Sequence, residues 1–99
     1  MDEMEQVVIN LIVNSGSARS SAIEAIQYAK AGDMDKAAES LQQAKESVNE
    51  AHHAQTEMIQ AEIRGERAPL NLLMVHAQDH LMTSLVVIDL AQEFIDLYE

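Results

Sequence analysis

His76, Asp79, His80 and Thr83 are the residues whose types and spacing could do chemistry. On a helix they stand at i, i+3, i+4 and i+7, so all four project from one side. The segment around them, Leu70 to Leu90, is otherwise strongly apolar, and imidazoles or carboxylates in such surroundings cost free energy unless they find partners. Three chemistries are compatible with the group. The side chains could be satisfied interface polars that set the register of an oligomer. They could bind a metal, because His76 and His80 have ligand spacing and His52-His53 could add a donor. A hydrolytic zinc site is disfavoured, since that pattern needs Glu directly after the first His and Ala77 stands there. The third chemistry is nucleophilic. An imidazole titrates near about 6.5, so one ring nitrogen offers a lone pair at neutral pH. It can accept a phosphoryl group if the other nitrogen is held and the incoming charge is offset.

The chain has no Walker glycine loop and no kinase signature, which excludes a nucleotide-dependent kinase. If a histidine is phosphorylated, the donor is another protein.

The elements that position these residues are helical. Only one proline and three glycines punctuate 99 residues. Gly32-Asp33 follows Lys30-Ala31 as a glycine stop with an N-cap behind it, and Gly65 to Pro69 makes the second break. The spacing predicts an all-α fold, a single domain over 1–99 with helices at about 3–31, 34–63 and 70–98, and the short connections force an antiparallel three-helix bundle. The second helix carries one seam, Ala37, Leu41, Ala44, Val48, Ala51, Gln55 and Met58. The first repeats it through Val8, Leu11, Ile12, Ser15, Ala18, Ala22, Ile26 and Ala29. Its small-residue stretch Asn14 to Ala18 would let another backbone approach closely or would loosen the helix at Gly16, and close packing is expected rather than a break.

The third helix has two apolar faces. One seam, Leu70, Met74, Ala77, Leu81, Ser84, Ile88, Ala91 and Ile95, closes the bundle. A second stripe, Leu72, Leu73, Val86, Val87, Leu90, Phe94 and Leu97, points elsewhere and predicts a homo-oligomer centred on this helix. His76, Asp79, His80 and Thr83 interrupt that stripe, whereas Gln78 is expected on the polar side.

Composition narrows the partners. Seventeen acids against six bases give a net charge of −11, which repels nucleic acid and anionic membranes and suits a basic partner. Without cysteine there is neither a disulfide framework nor a thiolate zinc site. Asp2, Glu3 and Glu5 occupy what would be the basic region of a signal peptide, and no apolar stretch is long enough to span a membrane, so a cytoplasmic protein is expected.

Val75 to Ser84 resembles the core motif of the lactose/cellobiose-type IIA components of the bacterial phosphoenolpyruvate-dependent sugar phosphotransferase system. Asn14-Ser15-Gly16-Ser17-Ala18-Arg19-Ser20, the turn Ala31-Gly32-Asp33, and Asn49-Glu50-Ala51-His52 with Gln55-Thr56 resemble further family segments. The resemblance implies a homotrimer that relays phosphate from the phosphocarrier HPr to a cysteine of the IIB component, upstream of the membrane IIC component. By position in the motif, His76 would be the phosphohistidine. Asp79 would be the metal ligand, three copies sharing one structural magnesium ion per trimer. His80, one turn from His76 and on the same side, is read as an assistant that donates to the phosphoryl oxygens or orients the first imidazole, with an interface polar as the alternative, and the role of His52 is open. Like charges also argue for that ion, because two carboxylates about 4 Å apart repel by about 4 kcal/mol at an effective dielectric of about 20. The transported sugar, a β-glucoside disaccharide or lactose, cannot be read from the chain. The alternative is a non-catalytic adaptor or metal-binding bundle.

Overall fold

A computed structural model describes residues 2–99 as three α-helices: α1 Glu3–Lys30, α2 Met34–Ile63 and α3 Leu72–Tyr98. Each begins at a side chain that takes up an orphan amide. Asp2 accepts from the Glu5 amide at 2.8 Å, Asp33 from Lys36 at 3.2 Å and Asn71 from Met74 at 2.9 Å.

The two turns end their helices alike. Gly32 and Gly65 adopt φ of +84° and +92°, and the residue after each donates five residues back, Asp33 to Tyr28 and Glu66 to Ala61, both at 2.9 Å. These are glycine-dependent helix stops. Two expected boundaries move accordingly. α1 ends at Lys30, because Ala31 is already the cap residue. α3 starts at Leu72, because Asn71 is spent as its N-cap, and this leaves Leu70 outside the seam assigned to it and 86 % exposed.

The core is made largely of small side chains. Ala18, Ala22, Ala25 and Ala29 of α1, Ala37, Ala44 and Ala51 of α2, and Ala77 and Ala91 of α3 are essentially inaccessible, with Leu11, Leu41, Leu81, Ile88 and Ile95 filling between them. Alanines at the contacts let helix axes approach to the short end of the usual ~8–10 Å range. α1 packs extensively on both other helices, whereas α2 and α3 touch sparingly. The result is an elongated bundle of 49 × 25 × 19 Å.

The stretch Asn14 to Ala18 packs closely as expected, but not through Gly16. The helix runs through it without a break, and a methyl group added there would meet nothing within 4 Å. Close approach falls at buried Ser15 instead. The Ser84 hydroxyl of α3 lies 2.8 Å from the Ser15 carbonyl and 2.6 Å from the His80 carbonyl, so its single proton is shared between the helices and fixes the register of α1 against α3 beside His80.

Candidate functional site

α3 presents His76, Asp79 and Thr83 to solvent, and half-buries His80 against α1. The separation follows from helical geometry, since His80 sits on the flank nearest the core seam and Asp79 on the flank farthest from it. The Nε2 atoms of His76 and His80 lie 3.0 Å apart, with the rings edge to face at 87° and centroids 4.4 Å apart. At this distance one ring nitrogen can donate to the lone pair of the other, the roles being set by the tautomers. Thr83 is spent locally, its hydroxyl donating to the Asp79 carbonyl at 2.8 Å with the His80 carbonyl at 3.4 Å.

The sequence reading of Gln78 is corrected. Rather than facing a polar side, it turns toward α2, where Gln55 Nε2 donates to Gln78 Oε1 at 2.8 Å and Gln78 Nε2 approaches the Met74 and Met58 sulfurs at 3.5 and 3.8 Å. This amide pair bridges the sparse α2–α3 contact. The structure also keeps His52 and His53 away from the pair on α3. His53 faces Glu57 of its own helix at 3.3 Å, and no cluster of three metal-ligating side chains occurs among the described residues.

Asp79 belongs to an exposed seam. Leu72, Val75, Asp79, Met82 and Val86 follow alternating spacings of three and four, and the apolar members are 49–85 % exposed. A three-four repeat on a free face is the pattern with which helices pair into coiled coils, and a polar residue inside it tends to fix register. Among the described residues, no donor contacts the Asp79 carboxylate, so its oxygens are free to take a cation. One chain offers only this one carboxylate there, and a hard divalent ion needs several oxygen ligands. The residues therefore fit a magnesium ion only where copies of the chain converge.

Two features were absent from the sequence reading. One is the Gln55–Gln78 bridge. The other is a groove of about 690 Å³ between α1 and α3, lined by Gly16, Arg19, Ser20, Glu24, Tyr28 and His80 among others. At its far end Glu24 raises the Tyr28 hydroxyl above its ordinary value, as acceptor and as a negative charge. The spacing of Gly16, Ser20 and Glu24 at i, i+4 and i+8 was the available signal, but nothing in the sequence says which neighbour the stripe faces.

The arrangement matches known proteins over nearly its full length. Residues 6–99 match the model of the PTS system lactose/cellobiose-specific IIA subunit. The lichenan-specific phosphotransferase enzyme IIA component of Bacillus subtilis strain 168 is 53 % identical over 98 residues, covering 99 % of this chain and 89 % of that one. The crystal structure of the cellobiose-specific enzyme IIA from Bacillus anthracis superposes with a TM-score of 0.94 at 56 % identity, covering 99 % and 90 %. In the solution structure of the Escherichia coli IIA(chitobiose)–HPr complex, the IIA chain gives a TM-score of 0.82 at 42 % identity, covering 99 % and 95 %. A helical bundle carrying the His76 motif and similar throughout to these proteins belongs to the lactose/cellobiose-specific IIA family of the sugar phosphotransferase system.

Proposed function

We propose that this chain is a cytoplasmic phosphoryl relay that takes phosphate from HPr onto His76 and passes it to a cysteine of a IIB component. The observation that carries the reading is the solvent-facing His76 ring with Nε2 held 3.0 Å from His80 Nε2. In the step proposed, the His76 Nε2 lone pair attacks phosphorus, the bond from phosphorus to the donor's imidazole breaks, and its electron pair returns to that nitrogen. With His80 in the tautomer protonated at Nε2, its N–H faces that lone pair beforehand, then transfers its hydrogen bond to a phosphoryl oxygen and offsets developing charge. The IIB thiolate then attacks phosphorus, and His76 leaves with its electron pair.

The exposed α3 seam supports assembly as a homotrimer, with three Asp79 carboxylates around the axis holding one magnesium ion. That ion would offset two of the three negative charges and so reduce the repulsion that opposes the contact. Every other role belongs to side chains: His76 carries the group and His80 assists it. The names of the relatives, specific for lichenan, cellobiose and chitobiose, favour a β-linked oligosaccharide as cargo of the associated membrane IIC component. The net charge of −11 favours encounter with a basic docking surface.

Incubation with phosphoenolpyruvate, Enzyme I and HPr tests the reading. The expected result is an acid-labile, base-stable gain of one phosphate that His76→Ala abolishes. Absence of that gain, or its persistence in His76→Ala, refutes the relay at this residue.

A further inference from the structure

The groove between α1 and α3 brings a cation to the histidine pair. Arg19 lines it together with His80, is exposed, and forms no ion pair among the described residues. Lys36 and Arg64 are each within 4 Å of a carboxylate, and the other cations without an ion pair among the described residues, Lys30, Lys45 and Arg67, do not line this groove. A free guanidinium in the groove that His80 lines, with His76 Nε2 3.0 Å from His80 Nε2, matters in a chain of net charge −11, because a phosphoryl group arriving on His76 adds about −1.5 to −2 more.

The local structure sets the level of Arg19 against the histidine pair. Two short connections make α1 and α3 run in the same direction, and the Ser84 hydroxyl pins Ser15 of α1 at the level of His80 and Ser84. Arg19 lies one turn beyond Ser15, and helical side chains tilt toward their helix N-terminus. Its long stem therefore leans back toward His80. Gly16, three residues before Arg19, leaves open space where a side chain would stand. His80 cannot keep its 3.0 Å contact with His76 Nε2 once a phosphorus atom is bonded there, and the groove gives the ring room to yield.

We propose that Arg19 is a phosphoryl-binding residue, its guanidinium donating across the groove to the oxygens of the group carried by His76. The proposal rests on the relay reading above. No covalent step is added; the planar fork of Arg matches two phosphoryl oxygens in a way a lysine ammonium does not.

The test compares Arg19→Gln, Arg19→Lys and, as a control with the same loss of charge at an exposed α2 residue that does not line the groove, Lys45→Gln. Each is phosphorylated with phosphoenolpyruvate, Enzyme I and HPr. The rate of phosphate gain and the second ionisation of the phosphoryl group, followed by phosphorus NMR against pH, are then measured. Arg19→Gln is expected to slow phosphate gain about tenfold, the loss of one partly solvated charge-assisted pair, and to raise the second phosphoryl pKa. Arg19→Lys should fall between it and wild type, and Lys45→Gln should equal wild type. If His76 is phosphorylated and Arg19→Gln matches Lys45→Gln in both readouts, the proposal is overturned while the relay stands. If wild type takes up no phosphate, the relay reading fails and takes the proposal with it.

Discussion

At the residue scale, three polar side chains within five residues of α3 face three ways. His76 faces solvent, His80 faces the α1 groove, and Asp79 faces the exposed seam. The division predicts separable phenotypes. Under the relay reading, His80→Ala should retain phosphorylation at His76 but slow it about 10²-fold, the usual size of one lost transition-state hydrogen bond, as read from the initial rate of phosphate gain. An unchanged rate would make His80 a packing residue. Ser84→Ala should leave the carbonyls of Ser15 and His80 without their shared donor and lower stability by about 1 kcal/mol in urea unfolding. The reactive types and their one-sided spacing were legible in the sequence because helical periodicity alone decides them. That His80 would turn to α1 and Gln78 to α2 was not, since it depends on which flank each neighbouring helix covers.

At the element scale, the two positive-φ glycines and the mid-helix glycine have opposite roles. Gly32→Ala meets no atoms but would force an L side chain to φ +84°, and should destabilise by about 1–2 kcal/mol. Gly16→Ala, in an unbroken helix with open space, should stabilise by about 0.5–1 kcal/mol. Thermal unfolding of the two variants checks both signs, and destabilisation by Gly16→Ala would mean that the groove beside His80 cannot accept a methyl group. Three helices and their inward seams could be read from sequence through the stops at Gly32 and Gly65 and the three-four spacing of small residues. The start of α3 could not, because Asn71 and the flanking Leu70 both fit helical periodicity and only the cap geometry separates them. The close approach expected within Asn14 to Ala18 is there, but the residue that makes it was not legible for a related reason: small side chains mark where a backbone can approach, and the Ser84–Ser15 bond puts the crossing at Ser15.

At the scale of the whole molecule, α3 spends one seam on its own bundle and leaves a second, running from Leu72 past Asp79 to Val86, without cover. The proposed trimer buries it. Val86→Glu places a charge in that seam and should yield a folded monomer, seen as unchanged helical circular dichroism with a threefold lower mass by light scattering. Asp79→Leu should keep the trimer, replacing charge repulsion with apolar contact, and make it insensitive to chelator, whereas a chelator should weaken the wild-type assembly. A wild-type monomer at micromolar concentration would remove both expectations. The most direct test of the central claim concerns the imidazoles themselves. In a nitrogen-15 long-range spectrum recorded before and after phosphorylation by HPr, one of the four histidines, His76, should show its Nε2 resonance moved and coupled to phosphorus, with His52 and His53 unchanged. Phosphorus coupling at any other histidine, or at none, would contradict the account.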